Sequence, residues 1–284
     1  MVNNAKNSIP AATASSLRCI IDKLVSTESS ENIGSNIMKR LVIVLQVLIV
    51  LLMPALLSAE EKLNVAVAAN FIQPFQKIAA LFEKKTHIKI EATYSSTGKL
   101  YSQIVNGAPY DVFLAADEER PNLLHRDGLV EKPFVYANGQ IILWSAKKEL
   151  CQAKDWSEAV QNKKIRKIAI ANVKTAPYGT MSMTALKKVG QWEPLQNKLV
   201  FAQDIVQSFQ YAFTESVDMG FCAFSAAFSD QGKKGCFLVV NEAPMVIQAA
   251  CVLKRSPKAA VARQFADFLN SQEAKVVKVS FGYR

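Results

Sequence analysis

The sequence predicts an α/β protein in two lobes, each a mixed sheet flanked by helices. Three observations carry this expectation. From residue 65 onward, short apolar runs alternate with amphipathic stretches, the pattern of parallel β-α-β units. A strand leading into a polar helix start occurs twice in succession and recurs later in the chain. Two breaks in the alternation carry the chain out of the first lobe and back into it.

Residues 65–69 read as an apolar strand running into Asn70 and a helix on which Phe71, Phe75, Ile78, Ala79 and Phe82 share one face. Asn70 with Gln73 three residues on suggests a capping arrangement, and Pro74 falls in the first turn, where a missing N–H is tolerated. The unit repeats with a strand at 88–94 and a helix start at Ser95-Ser96-Thr97-Gly98. Residues 110–116 form a buried strand, and Asp117 opens another helix. The first crossing falls at Tyr136-Ala137-Asn138-Gly139, ahead of a strand at 140–145. In the second lobe, strands are expected at 167–171, 199–202, 219–224 and 236–240. A turn at Thr175-Ala176-Pro177-Tyr178-Gly179 leads into a helix ending at Lys188, and Asp204 or its neighbour opens a helix ending near Glu215. A return strand at 245–253 and a helix at 257–269 restore the chain to the first lobe. The expected lobes are 60–138 with 246–284, and 139–245.

With 50% hydrophobic and 20% charged residues, the 284-residue chain has the makings of a folded globular protein and room for two modest domains. Residues 38–59 read as a secretory signal peptide: Lys39-Arg40, a 12-residue apolar core at 41–52, then small residues up to Ala59, after which the cut is expected. A retained membrane anchor is the alternative, although the core is shorter than the roughly 20 residues a span needs. No cysteine follows the apolar run, so a lipid-modified N-terminus is unsupported. Residues 1–37 are polar and aperiodic, which suggests a non-native or disordered extension ahead of a start at Met38. Removing 1–59 takes 5 of 34 basic and 3 of 24 acidic residues and leaves a charge of +8. That balance favours an anionic ligand. Nucleic acid is not an expected partner, because no basic stripe interleaved with aromatics appears.

Four cysteines follow residue 59: Cys151, Cys222, Cys236 and Cys251. An oxidising compartment allows one or two disulfides among three full pairings, and spacing does not choose between them. Buried free thiols are the competing reading, above all for Cys222 and Cys251. Zinc is disfavoured without a CxxC pair or a nearby histidine.

Each strand-to-helix turn presents side-chain donors and unpaired backbone N–H groups where the helix dipole is positive, so two such turns aimed at one point make an oxyanion site. The first lobe also carries Asn106-Gly107-Ala108-Pro109-Tyr110-Asp111-Val112-Phe113-Leu114-Ala115-Ala116-Asp117. This segment closely resembles the pattern of bacterial molybdate-binding proteins, the periplasmic receptors of ABC importers. The resemblance covers nearly all of 61–284. It implies a type II periplasmic-binding-protein fold with the ligand in the interlobe cleft, a periplasmic location, a monomer, an inner-membrane ABC permease as partner, and no cofactor.

A tetrahedral dianion has only acceptor oxygens, so its cage needs only donors: hydroxyls, amides and backbone N–H groups. Carried over residue by residue, the resemblance puts the first hydroxyl position on Asn70, a departure, and the second on Thr97 with Ser96 beside it. Pro177-Tyr178-Gly179 gives one backbone role to the Tyr178 N–H, and Asp204-Ile205 gives the other to the Ile205 N–H. Molybdate would thus be held through Asn70, Thr97, Tyr178 and Ile205, with Asp204 bracing its helix start. The family's tyrosine position falls on Ala223, so a hydroxyl is lost; Ser225, Tyr178 or a water are the candidates to replace it. Asp111 and Asp117 read as structural. Asn70 and Asp204 also fit ordinary helix caps, but their occurrence together with the twelve-residue motif favours binding.

Tungstate matches molybdate closely in size, while phosphate carries a proton that the Asn70 carbonyl can accept, so another oxyanion such as phosphate or sulfate stays open. A secreted enzyme on the same scaffold is a second class. It is disfavoured by the lack of GxSxG, P-loop and HExxH motifs and by the surface-like settings of His87 and His125. An adhesion or signalling module with a degenerate site is a third.

Overall fold

The computed structural model describes residues 40–44, 46 and 62–284; the first group is helical and exposed. The expected extension at 1–37 and most of the expected signal peptide at 38–59 lie outside the described residues. Among the described residues, no helix is long and apolar enough to cross a membrane.

In chain order, β1 (Lys62–Ala68) leads through a one-turn 3-10 helix (Ala69–Phe71) into α1 (Ile72–Thr86), and β2 (Lys89–Ser95) leads into α2 (Thr97–Val105). Then come β3 (Val112–Leu114), α3 (Glu119–Arg126), β4 (Phe134–Gly139) and β5 (Ile141–Ser145). The short α4 (Trp156–Ala159) precedes β6 (Ile168–Ala171), α5 (Pro177–Lys188), α6 (Trp192–Leu195), β7 (Leu199–Ala202), α7 (Ile205–Phe213), β8 (Met219–Ala223) and β9 (Cys236–Val239). The chain closes with β10 (Val246–Val252), α8 (Ala259–Phe268) and α9 (Gln272–Ser280).

These strands form two five-stranded mixed sheets, ordered β2-β1-β3-β10-β4 and β7-β6-β8-β5-β9. In the first, β1 runs parallel to β2 and β3, while β10 lies antiparallel to β3 and β4. In the second, β6 runs parallel to β7 and β8, while β5 lies antiparallel to β8 and β9. The two orders are one pattern used twice. In each, the strand next to the parallel trio is the one by which the chain enters from the other sheet.

Register then fixes where the helices begin. Ala68 pairs with Ser95 at the ends of β1 and β2, and Ala171 pairs with Ala202 at the ends of β6 and β7. Both strands of each pair therefore end level, and their helix starts emerge side by side. In such sheets, ligands collect outside the carboxyl ends of the parallel strands.

The first lobe packs Phe71, Phe75, Ile78 and Phe82 of the α1 region against Phe265 and Phe268 of α8 over the sheet. Phe82 meets the Phe265 ring edge-on at 5.1 Å. Full burial of each such ring contributes about 1.5–3 kcal/mol. The second lobe centres on Trp156, Phe221, Leu143 and Ile170, joined by Ala68 and Ala116 from the first lobe.

Several elements differ from the sequence expectation. Residues 136–139, expected as turn residues at the crossing, belong to strand β4, because their backbone pairs with β10. The strand expected at 110–116 is only three residues long, and α9 was not anticipated. Asn70 does not cap a helix with Gln73; it lies in the 3-10 turn, and the residue preceding α1 makes no side-chain cap.

Cys151 and Cys236 form a disulfide, while Cys222 and Cys251 are buried free thiols. The bond ties the segment after β5 to edge strand β9 across a separation of 85 residues. Reduction, or a Cys151→Ala and Cys236→Ala pair, is expected to lower unfolding stability by about 2–5 kcal/mol in urea titrations.

Lys278 is a buried cation whose Nζ donates to the carbonyl oxygens of Tyr136 and Leu269. Burial pushes its pKa down to about 8, so the folded chain releases this proton earlier than an unfolded lysine near ~10.4 does. Between these values the unfolded state holds more protons, and stability contributed by this group rises with pH. The stability of the protein relative to Lys278→Met should therefore increase from pH 8 to 10 in chemical denaturation.

Candidate functional site

The four helix starts converge between the sheets on a small cavity of about 10 Å³, whose lining includes Asn70, Ser96, Thr97, Tyr178, Asp204 and Ile205. Among the described residues, no lysine, arginine or histidine lines it. His87 and His125 are both exposed and outside it.

Ser96 stands at the N-cap of α2, where a serine ordinarily accepts from the next turn of backbone, yet its side chain makes no cap. Its hydroxyl is buried and without a hydrogen-bond partner, alone in this among side-chain atoms of the described residues. A hydroxyl so placed costs on the order of 1–3 kcal/mol unless something binds it. Beside it, Thr97 Oγ1 accepts from the Ala116 N–H at 3.0 Å, which leaves the hydroxyl proton free to be donated.

Across the cavity, Pro177 opens α5 and has no N–H, so Tyr178 supplies the first one. Ile205 does the same for α7. Neither N–H has a partner among the described residues. Asp204 Oδ1 accepts from the N–H groups of Val206 and Gln207 at 2.9 and 3.0 Å. Its carboxylate is thereby spent on its own helix.

Asn70 is held from behind. Its Nδ2 donates to Gln248 Oε1 at 2.7 Å and to the Tyr283 hydroxyl at 3.1 Å. Gln248 also accepts from the Tyr136 hydroxyl at 3.0 Å and donates to the Tyr178 hydroxyl at 3.2 Å. The hydroxyls of Tyr283 and Ser225 both donate to the Asn70 carbonyl oxygen, at 2.8 and 3.1 Å. Burial pushes the Tyr136 and Tyr178 phenols well above their ordinary range and raises Tyr283, so all three stay neutral. The approach is close: a Cβ on Gly139 would lie 2.0 Å from the Tyr178 hydroxyl and 2.7 Å from Gln248 Nε2.

Asn70, Ser96, Thr97, Tyr178 and Ile205 thus meet at one cavity, whereas Ser225 lines a neighbouring one of about 80 Å³ with Ala223, Asn70 and Ile205. Sequence reasoning missed Gln248, Tyr136 and Tyr283. A glutamine inside the apolar run Val246–Val252 was a usable signal for the first; nothing local marks Tyr283.

At the rim the lobes touch directly. The Gly98 N–H donates to the Thr175 carbonyl at 2.8 Å, where a side chain on residue 98 would strike that same oxygen. Lys99 reaches Gln203 at 2.8 Å, and Arg120 reaches the Lys174 carbonyl at 3.1 Å.

Two mixed α/β lobes, crossed twice by the chain and closing on a cleft of helix starts, define the class of two-lobe solute-binding proteins. The chain belongs to the family of bacterial extracellular solute-binding proteins, whose pattern matches residues 63–284. It is 36% identical over 227 residues to the molybdate-binding protein of Azotobacter vinelandii, covering 78% of this chain and 89% of that one. The molybdate-binding protein of Rhodobacter capsulatus is 34% identical over 231 residues, covering 81% and 90%. Among solved structures, the periplasmic molybdate-binding protein of Azotobacter vinelandii superposes with a TM-score of 0.73 at 31% identity, covering 78% of this chain and 98% of its own.

Removing the unpartnered hydroxyl should relieve the free protein. Ser96→Ala is expected to raise its unfolding stability by about 1 kcal/mol in anion-free buffer, read as a higher Tm, whereas loss of an ordinary serine cap lowers it by a similar amount.

Proposed function

We propose that the protein is the substrate-binding component of an ABC importer, and that it carries a tetrahedral oxyanion, molybdate or tungstate, to an inner-membrane permease. The observation that carries this reading is the buried, unpartnered Ser96 hydroxyl in a residue that lines one cavity with Tyr178 and Ile205, whose N–H groups are unpaired. Neutral donors at four helix starts suit an ion whose oxygens only accept. The relatives named for molybdate binding support the choice of ion. In this reading Asn70, Ser96, Thr97, Tyr178 and Ile205 contact the anion, Asp204 and Ser225 brace them, and no cofactor or catalytic step is involved.

The protein would act in the periplasm as a monomer, exported by the segment at 38–59. The lobes 60–138 with 246–284, and 139–245, would move as bodies about the two crossings, opening to admit the anion and closing to present it. Phosphate is the second reading. It is favoured by one observation: the Asn70 amide nitrogen is already bonded to Gln248, and its Oδ1 makes no hydrogen bond among the described residues.

Calorimetric titration with molybdate, tungstate, sulfate and phosphate tests the assignment. Molybdate and tungstate should bind far more tightly than sulfate, and a preference for phosphate would overturn the choice of ion. Ser96→Ala and Thr97→Ala should each weaken molybdate binding by about 1–3 kcal/mol, or roughly 5- to 150-fold in Kd.

A further inference from the structure

The Asn70 side chain can meet an anion in two ways. With its NH₂ toward the cavity it donates to an oxygen that carries no proton. With its carbonyl toward the cavity it repels such an oxygen and accepts from one that does. Which end faces forward is decided behind the residue, at Gln248.

Gln248 is fully buried in β10 and makes three hydrogen bonds: from Asn70 at 2.7 Å, from Tyr136 at 3.0 Å and to Tyr178 at 3.2 Å. In the arrangement observed, its Oε1 takes the Asn70 NH₂. Turning both amides by half a turn exchanges donor and acceptor at every bond. The bonds within the pair and to Tyr136 and Tyr178 survive, because those two hydroxyls serve as donor or acceptor; Tyr283, whose one proton goes to the Asn70 backbone carbonyl at 2.8 Å, must give that bond up to meet the turned amide, and Ser225 still satisfies the carbonyl at 3.1 Å. A mixed state, with one amide turned and the other not, sets two carbonyls or two NH₂ groups against each other in a buried site. The pair therefore has two satisfied states, and the Gln248 amide selects the state of Asn70.

We propose that Gln248 is the specificity-determining residue of the oxyanion site: its bond to Asn70 fixes which end of that amide faces the cavity, and so whether the site takes a fully deprotonated oxyanion or one that keeps a proton. Gln248 does not line the cavity; it is a positioning residue that acts through Asn70. The inference rests on the oxyanion reading above and adds to it the means of discrimination.

The test measures the ratio of molybdate to phosphate affinity by calorimetry from pH 6 to pH 8.5, in the full chain and in four variants. Gln248→Met keeps the length of the side chain without its amide and should move the ratio about tenfold toward unity, since Asn70 is then free to turn. Gln248→Glu, an acceptor only when ionised, permits only the arrangement observed, with the Asn70 NH₂ turned to residue 248, and by excluding the turned state should shift the ratio toward phosphate by about tenfold or more and make binding depend on pH. Asn70→Ser supplies a hydroxyl that rotates by itself. In that background, adding Gln248→Met should leave the ratio unmoved, whereas loss of fold or simple charge repulsion would act in either background. A ratio unchanged in folded Gln248→Met, or changed equally with Ser at 70, overturns the inference while leaving the oxyanion reading intact. An unmodified chain that binds none of the four oxyanions overturns both.

Discussion

An unpaired N–H at the start of a helix is a partial positive charge that cannot be satisfied within the helix, and this fold brings several of them to one place. Level strand ends are the reason. Because Ala68 is in register with Ser95 and Ala171 with Ala202, two turns leave each sheet at the same height and face those of the other lobe. The donors are fixed by backbone, so they need no reorganisation when a charge arrives. A lysine or arginine in their place would attract most anions alike. A cage of neutral dipoles instead rewards shape and the number of acceptor lone pairs, which suits discrimination among oxyanions better than attraction does.

Behind this front layer lies a second, made of Asn70, Gln248, Ser225 and three tyrosines. Buried polar groups are tolerated only when every member is satisfied, so such a network holds its members in few arrangements. It draws residues from distant parts of the chain: Tyr283 comes from the last two residues and reaches the Asn70 carbonyl at 2.8 Å, while Arg284 exchanges backbone hydrogen bonds with Asn138. Residues 283 and 284 thus support the network behind the cavity and the strand that leads to the crossing. Gly139 is glycine for the same reason, since any side chain there would occupy the space of the Tyr178 hydroxyl.

The strand-and-helix repeats, the helix starts at Thr97, Tyr178 and Ile205, and the two sheets were legible because their signals are local: apolar periodicity, a proline at the first helical position, an aspartate before a helix. What was not legible depends on partners far away in sequence. Asn70 looks like a cap in isolation and becomes a network residue only because Gln248, 178 positions later, offers a better acceptor. Residues 134–139 contain an Asn-Gly turn signal, yet β10 supplies a ladder that overrides it. The choice of Cys151 with Cys236 likewise depends on β9 lying beside β5, which spacing alone does not reveal.

The closed arrangement is held by little at its rim. Lys99 to Gln203 and Arg120 to the Lys174 carbonyl are exposed bonds, and with the Gly98 to Thr175 bond each contributes about 0.5–1.5 kcal/mol net. Against them stands the unpartnered Ser96 hydroxyl, whose burial opposes closure by about 1–3 kcal/mol. These opposing terms are of similar size, and the bonds from Gln248 to Tyr178 and from Ser225 to the Asn70 carbonyl join the lobes as well, so the proposed closure rests on a balance of small contributions. A receptor needs that balance: a ligand shifts an equilibrium only by its differential affinity for the two states, and a strongly self-closed protein would neither admit nor release its cargo. In the proposed function, the same hydroxyl that makes closure unfavourable alone would become a donor once an oxyanion is present. One serine thereby couples occupancy to shape, without a charged group in the cavity lining other than the capped Asp204.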